Sequence, residues 1–351
     1  MSLRWVVVHH EPSWSGTARA ALEMAAALAA RDETRVAAPA GSALLARAAA
    51  AGLPVVSWPG PASPRAVAAV LAPLQPEGWC ATSAAAFACS AASAARAGRG
   101  ALVRRLALGE RPAAPPRRWF GHPPEAAWVF AARADAEKVP VPTGVVRGGI
   151  IEPWAAPAPR REPAEPRHVV LVADAAGSAT AGSRVHDALR GAAALLRAHR
   201  EVRLVLLGGC ATDDTLRVHA GALGVASQLV SGGAFDDARW IGAAVATWVV
   251  ADSDDGAYAA LTSAAHGVPV LAPRGSAAAR LLVPGTTGEA VPGDEPLVAA
   301  GVLAHWLGDD ARRRTMGQAA RERLGVVGAP AVPEVLDRAV AQVRGARAGA
   351  A

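Results

Sequence analysis

The fold of this chain is decided by its first structural unit, residues 5 to 30, which read WVVVHHEPSWSGTARAALEMAAALAA. The continuous apolar run at residues 5 to 8 is typical of a buried strand, and the alanine-rich stretch at residues 18 to 30 has the composition of a helix. A polar, glycine-containing turn at residues 11 to 17 separates them. This stretch therefore predicts a strand, a loop and a helix in that order.

The same alternation recurs in the segments that follow. Apolar stretches at residues 35 to 38 and 54 to 58 flank an expected helix at residues 42 to 51, and a further strand is expected near residues 101 to 108. Strands that alternate with helices favour a parallel, doubly wound sheet. Residues 1 to 152 are therefore predicted to form an N-terminal Rossmann-like domain.

A second domain follows a proline-rich boundary. Proline is dense at residues 112 to 124 and again at residues 153 to 166, which excludes regular helix and central strand there. We expect residues 153 to 166 to be a linker and residues 167 to 327 to be a second Rossmann-like domain, because the alternation restarts with an apolar strand at residues 167 to 173. Residues 328 to 351 are expected to form a helix at about 332 to 343 and a flexible glycine- and alanine-rich tail. Further helices or strands are expected at residues 183 to 199, 202 to 207, 212 to 223, 228 to 231, 236 to 244, 247 to 251, 258 to 266 and 268 to 272.

Composition narrows the class of protein. The chain has 351 residues, of which 52% are hydrophobic and 19% are charged, so it is globular and long enough for two domains. Its formal net charge is +6, but 36 basic residues are scattered among 30 acidic ones. No arginine cluster alternates with aromatic residues at a spacing that would stack bases. We therefore expect no nucleic-acid partner, while contact with an anionic membrane surface stays open.

Cysteine usage and hydropathy indicate the compartment. Three cysteines with no CxxC spacing predict neither a disulfide framework nor a zinc site. The apolar run near the N-terminus is too short for the core of a signal peptide, and no stretch reaches the roughly 18 apolar residues that a membrane span needs. We expect a cytoplasmic protein, with peripheral attachment to a membrane left open.

Several common catalytic motifs are missing. Residues 177 to 184 have the glycine spacing of a P-loop, but Ser183 stands where the lysine is required. Gly208 and Gly209 follow a predicted strand, yet no G-x-G-x-x-G fingerprint is present. No G-x-S-x-G or HExxH occurs either. These observations disfavour a P-loop nucleoside triphosphatase, a nicotinamide dehydrogenase, a nucleophile-elbow hydrolase and a zincin.

A few loop residues at strand ends are candidates for binding. Gly16 would let backbone amides approach a phosphate, although a turn glycine beside a capping hydroxyl explains it equally well. His9 and His10 end the first predicted strand and would face a cleft between the domains, but neither has a second ligand at metal spacing. Arg184 offers forked donors to a phosphate near a helix start, or is an exposed helix arginine.

One region carries a resemblance to a known family. Residues 251 to 258 (ADSDDGAY) and 266 to 272 (HGVPVLA) resemble the signature of the retaining GT-B glycosyltransferases called group 1, or family 4-like. There, a Pro-Ser stretch, a Glu-Gly-Phe-Gly turn, a helix with Leu-Glu-Ala and a Gly-x-Pro-Val strand follow one another. The fold that this implies is GT-B, an α/β architecture of two Rossmann-like domains facing across a cleft. Weaker similarities lie at residues 206 to 209, 283 to 291, 306 to 324, 16 to 30 and 41 to 56.

The resemblance implies a function. It implies a transferase that moves a sugar from a nucleotide-diphosphate sugar to an acceptor with retention, without a metal or other cofactor. The donor would bind mainly to the second domain, and the first would take a glycan, lipid or small-molecule acceptor. Helix amino ends and arginine would stabilise the negative charge of the leaving diphosphate. A non-catalytic relative that binds a nucleotide, glycan or protein partner is the alternative.

The resemblance also assigns residues. The family places two acidic residues eight apart, one at the donor sugar and one at the ribose; here they correspond to the shorter Asp254 and to the uncharged Thr262, which favours the alternative. The family's basic diphosphate clamp corresponds to residues 175 to 184, where only Arg184 is basic. A histidine that the family often has in the crevice of its first domain has no match here, and residues 108 to 110, which include Glu110, occupy that neighbourhood. The predicted catalytic residue is Asp254, the predicted donor residues are Gly16, Arg184, Gly208, Gly209, Gly256, Ala257 and Thr262, and the candidate acceptor residues are His9, His10 and Glu110.

Overall fold

The computed structural model describes residues 3 to 108, 110, 126 to 142, 145 to 159, 167 to 174, 181 to 327 and 330 to 350. The chain divides into two compact units. The first comprises Met1–Glu152 together with Pro330–Ala351, and the second comprises Pro153–Ala329. Each unit contains one sheet whose strands all pair in parallel. The predicted α/β class with two Rossmann-like domains is therefore confirmed.

The first unit has a seven-stranded sheet. Its strands are β1 (Arg4–Val8), β2 (Glu33–Pro39), β3 (Val55–Trp58), β4 (Gly78–Ala81), β5 (Ala101–Leu106), β6 (Ala126–Phe130) and β7 (Val145–Ile150), in the spatial order β3-β2-β1-β4-β5-β6-β7. The helices are α1 (Gly16–Ala29), α2 (Ala43–Ala50), α3 (Pro64–Leu71), α4 (Ala84–Ala97) and α5 (Arg133–Lys138). Four of these helices begin after a serine whose hydroxyl accepts a backbone N–H of the first turn, as expected for N-caps; these serines are Ser15, Ser42, Ser63 and Ser83.

A helix from the far end of the chain completes the first unit. This helix, α12 (Val332–Ala350), contributes Leu336, Val340 and Val343 to the core that also holds β1. The expected flexible tail after residue 343 is wrong, because the helix continues to Ala350. The residues after 343 are mainly alanine and arginine, which are strong helix formers, and they outweigh the glycines among them.

The second unit has a six-stranded sheet and its own core. Its strands are β8 (His168–Ala173), β9 (Arg203–Gly208), β10 (Leu229–Ser231), β11 (Ala246–Val249), β12 (Val270–Pro273) and β13 (Gly288–Val291), in the order β10-β9-β8-β11-β12-β13. The helices are α6 (Ala181–Ala198), α7 (Asp214–Ala222), α8 (Ala238–Gly242), α9 (Asp254–His266), α10 (Pro296–Gly308) and α11 (Asp310–Val327).

The described part of the expected linker lies against the second unit. The backbone N–H of Ala158 donates to the carbonyl of Ala265 (2.9 Å), and Nδ1 of His266 is 3.3 Å from the carbonyl oxygen of Pro159. Prolines exclude regular structure here, but the segment still hydrogen-bonds to the end of α9. Residues 160 to 166 of the expected linker lie outside the described residues.

Each sheet has one position where the order of its strands reverses. In the first sheet it lies between β1 and β4, and in the second between β8 and β11. In doubly wound sheets, ligands bind beyond the carboxyl ends of the strands at this switch point. The residues directly after these four strands are therefore where a functional site is expected.

Among the helices of the described segments, none is long and apolar enough to cross a bilayer.

Candidate functional site

At the switch point of the second sheet, a carboxylate joins two elements. Asp174 directly follows β8, and its side chain accepts hydrogen bonds from the hydroxyl of Ser253 and from the backbone N–H of Asp252 (3.2 Å). The Ser253 hydroxyl in turn accepts the backbone N–H of Asp255 (3.2 Å), which makes it the N-cap of α9. Asp174 therefore holds the amino end of α9 beside the carboxyl end of β8.

Arg184, on the first turns of α6, lies beside the same loop. Its Nη1 is 3.4 Å from Oδ2 of Asp252, and the two side chains are 38% and 50% exposed. An ion pair this exposed contributes at most about 1 kcal/mol, so a stronger anionic ligand can displace it. Arg184 is thus a basic, accessible group at the switch point. The rest of the predicted diphosphate loop, residues 175 to 180, lies outside the described residues.

The predicted residues of α9 are mostly buried. Asp254 lies in the first helical turn and is 1% exposed, and Thr262 is 6% exposed. The hydroxyl of Thr262 donates to the carbonyl of Tyr258 (2.9 Å). The hydroxyl proton of Thr262 is therefore already used in a hydrogen bond within the helix. A role of Thr262 at the ribose stays a prediction.

The backbone amides of Gly256 and Ala257 already have partners. Both donate to the carbonyl of Ser253, at 3.1 and 3.4 Å, because α9 begins at Asp254 rather than at residue 258 as expected. A Cβ at Gly256 would lie 2.7 Å from the carbonyl oxygen of Ala251, so close packing explains this glycine. The geometry does not favour these two amides as donors to a ligand.

Gly208 and Gly209 are held in a similar way. The N–H of Gly208 donates to the carbonyl of Gly233 (2.9 Å), and the N–H of Gly209 donates to the carbonyl of Asp174 (3.1 Å). Gly208 has a φ of +76°, and a Cβ there would lie 2.2 Å from the carbonyl oxygen of Ala173. Backbone geometry accounts for Gly208, and contact of either glycine with a donor stays a prediction.

The switch point of the first sheet contains a buried histidine. His9 follows β1 and is fully buried; its Nδ1 is 3.0 Å from the hydroxyl oxygen of Thr82, which follows β4. Its Nε2 has no hydrogen-bond partner among the described residues and lies 3.9 Å from Oε2 of Glu11. Burial lowers the pKa of His9 to about 4, against the opposite effect of the Glu11 carboxylate, so the imidazole is neutral at pH 7.

Glu11 occupies the amino end of α1. Its Oε2 accepts the hydroxyls of Ser15 (3.2 Å) and Thr17 (3.4 Å), and Ser15 is the N-cap of the helix. A carboxylate therefore already faces the loop that contains Gly16, the first residue of α1. Like charges repel, so this geometry does not favour the predicted binding of a diphosphate at Gly16.

The other two candidate acceptor residues are engaged elsewhere. The His10 ring lies beside the Trp58 ring, with centroids 6.2 Å apart. Glu110 forms an ion pair with Arg104 and accepts the backbone N–H of Ala107 (2.9 Å). Gly109, which directly precedes Glu110, lies outside the described residues.

Sequence reasoning did not single out Asp174, Glu11 or Thr82. The feature of the sequence that could have identified them is their position, because each lies directly after, or a few residues after, a strand at a switch point. Within the described segments, no group of three or more histidine, cysteine, aspartate or glutamate residues is arranged to hold a metal ion.

Known proteins similar to this chain are found among solved structures. No protein-family model and no curated protein matches the chain. Among solved structures, HepE from Anabaena in complex with UDP-glucose has a TM-score of 0.74 at 14% identity, over 98% of this chain and 100% of that one. A glycosyltransferase from Rickettsia africae ESF-5 has a TM-score of 0.68 at 12% identity, over 98% of each chain. TarM from S. aureus, in complex with fondaparinux, alpha-GlcNAc-glycerol and UDP, has a TM-score of 0.60 at 10% identity, over 78% of this chain and 57% of that one.

These likenesses define the class of fold. The chain has the GT-B fold, and the likeness spans nearly the whole length of the HepE and Rickettsia structures.

Proposed function

We propose that this chain is a glycosyltransferase that moves a sugar from a nucleotide-diphosphate sugar to an acceptor hydroxyl. The observation that carries the proposal is the position of Arg184, an accessible guanidinium beside Asp252 at the switch point of the second sheet. Its support comes from a fold shared along nearly the whole chain with a protein solved with UDP-glucose.

The proposed reaction breaks the bond between the anomeric carbon and the diphosphate oxygen and forms a bond from that carbon to the acceptor oxygen. The acceptor proton passes to the departing diphosphate, so charge and atoms balance. Arg184 would stabilise the negative charge that develops on the diphosphate. The resemblance at residues 251 to 272 implies retention of configuration, with Asp254 at the donor sugar.

We propose that transfer needs no metal ion, so activity should persist in EDTA. The acceptor would be a hydroxyl-bearing glycan, lipid or small molecule, and a lipid acceptor would bring the protein to a membrane surface.

A cytoplasmic location is part of the proposal; it is supported by three buried free thiols, Cys80, Cys89 and Cys210, which suit a reducing compartment.

The first experiment screens donors. The purified chain is incubated with UDP-, GDP- and ADP-sugars, and thermal stabilisation and donor hydrolysis are measured together. Stabilisation with hydrolysis is the expected result for one nucleotide class, since a ligand that binds only the folded chain raises its midpoint of unfolding. No response from any donor would contradict the proposal.

Replacing Arg184 by alanine should weaken donor binding and slow transfer together. Loss of a charge-assisted contact to the diphosphate is expected to raise the Kd for the donor roughly tenfold or more. Arg190→Ala is the matched control, because Arg190 lies on the same helix, is 63% exposed and pairs with Asp187. Calorimetric titration with the donor found above measures both, and equal affinity in the Arg184 variant would disprove its role.

Replacing Asp252 by asparagine should have the opposite effect. Its carboxylate competes with a diphosphate for Arg184 and repels it, so removing the charge is expected to tighten binding of the free nucleoside diphosphate about two- to fivefold. The gain should shrink as salt concentration rises, because the pair is exposed. An affinity that falls in Asp252→Asn would mean that Asp252 contacts the nucleotide directly.

A second candidate function is binding without transfer. It is favoured by Thr262, which stands where the family's second acidic residue would hold the ribose and whose hydroxyl donates instead to Tyr258. The donor screen separates the two functions. Stabilisation by a nucleotide sugar with neither hydrolysis nor transfer to any acceptor would favour the binding function.

A further inference from the structure

The buried histidine of the first unit carries an inference about the acceptor. His9 is fully buried at the switch point of the first sheet, and its Nε2 has no hydrogen-bond partner among the described residues. A buried polar atom without a hydrogen-bond partner is costly, and a ligand atom that pairs with it would remove that cost. The polar group nearest to it in the described contacts is the half-exposed carboxylate of Glu11, 3.9 Å away.

The negative charge of Glu11, whose Oε2 lies 3.9 Å from Nε2, favours the tautomer of His9 that carries its proton on Nε2. Thr82 is buried beside Nδ1, at 3.0 Å, and its hydroxyl can donate to that nitrogen. The neutral imidazole then carries its proton on Nε2. Nε2–H is a donor and the Glu11 carboxylate is an acceptor, so together they match the acceptor and donor halves of one hydroxyl group.

We infer that His9 and Glu11 bind a hydroxyl group of a neutral polyol, such as a sugar or a cyclitol, in the first unit. The inference rests on the proposed function, because this hydroxyl would belong to the acceptor. The ligand oxygen accepts a hydrogen bond from Nε2–H of His9, and the ligand hydroxyl donates its own proton to the Glu11 carboxylate. Each of these two donor–acceptor distances is expected to be about 2.8 Å. Nε2 is covered in the free chain, so the hydroxyl enters as the half-exposed Glu11 side chain shifts outward.

The charge around the site selects a neutral ligand over a phosphorylated one. Glu11 brings a negative charge to the amino end of α1, where a phosphate would otherwise be favoured. Two arginines on α1 and α2 are engaged: Arg19 pairs with Glu23 at 3.0 Å, and Arg47 stacks on the Trp14 ring at 4.0 Å. His9 adds no positive charge, because it is neutral at pH 7.

The test uses the full chain and four defined probes. Nitrogen-15 NMR of the histidine rings is recorded during titration with myo-inositol, methyl α-D-glucopyranoside, glucose 6-phosphate and UDP-glucose. We expect the Nε2–H tautomer for His9 and a shift of its Nε2 signal with a neutral polyol. Glu11→Gln should raise the apparent Kd for that polyol roughly tenfold. Glu33→Gln, an exposed carboxylate of the same unit paired with Arg35, should leave it unchanged.

Three results would overturn the inference. They are an Nδ1–H tautomer, a His9 signal that no neutral polyol shifts, and tighter binding of glucose 6-phosphate through Glu11. UDP-glucose reports separately on the proposed function through Arg184. Polyol binding without any nucleotide-sugar binding would remove the proposed function and keep this site, whereas the reverse result would remove only this site.

Discussion

Gly208→Ala is expected to destabilise the second unit by about 3 kcal/mol or more. Two costs add at this position. Gly208 has a φ of +76° and a ψ of −145°, a conformation almost confined to glycine, which costs a residue with a Cβ about 1 to 3 kcal/mol. The new Cβ would also lie 2.2 Å from the carbonyl oxygen of Ala173, which is backbone of the neighbouring strand β8 and cannot move aside cheaply. Urea unfolding of the full chain measures the loss.

Gly224→Ala separates the two costs. Gly224 also has a positive φ, of +71°, but a Cβ there meets no atom within 4 Å. It should therefore lose only the cost of a positive φ, about 1 to 2 kcal/mol. Equal losses in the two variants would show that the close approach to Ala173 relaxes without cost. Because Gly209 donates to the carbonyl of Asp174, Gly208→Ala should also weaken donor binding at temperatures where the chain stays folded.

Acidification from pH 7 to pH 4 should cost the first unit about 3 kcal/mol through His9 alone. Burial lowers the pKa of His9 from 6.5 to about 4, so the unfolded chain takes up this proton at a higher pH than the folded chain. Stability is therefore unaffected by His9 above about pH 6.5, falls between pH 6.5 and 4, and has lost the full amount below pH 4. Unfolding free energies measured across this range give the slope.

His9→Gln isolates this contribution. The variant should be less stable at pH 7 because it loses the packing of the buried imidazole ring. Its unfolding free energy should nevertheless fall less steeply between pH 6.5 and 4 than that of the unaltered chain. The difference between the two slopes, rather than either slope, reports on His9. Parallel slopes would mean that the buried imidazole is not the group that titrates.

Local patterns in the sequence predict most of the fold, and the strands they miss show the limit. Strands β1 and β8 are continuous apolar runs, so their burial is visible in a short window. Strand β7 contains Gly148 and Gly149, which disfavour a strand when read locally. A Cβ at Gly148 would lie 2.7 Å from Cβ of Ala339, and one at Gly149 would lie 2.8 Å from Val335. These glycines make room for α12, which no local window contains.

The candidate site is predictable only in part, for the same reason. Arg184 could be found because it is the basic residue near the start of a predicted helix. The resemblance assigns Gly256 and Ala257 as backbone donors at the start of a helix expected from residue 258, whereas the Ser253 cap starts that helix at Asp254. Asp174 meets Ser253 and Asp252 across 79 and 78 positions of the chain, so only the parallel pairing of β8 and β11 brings them together.

The return of α12 to the first unit orders events during translation. Leu336, Val340 and Val343 belong to the core of a sheet whose strands are all synthesised before the second unit begins. The ribosome must therefore make the entire second unit before the helix that closes the first one is available. The second unit, although it is synthesised later, can therefore complete its folding first. Until α12 is synthesised, the first unit has an exposed apolar face to which chaperones can bind.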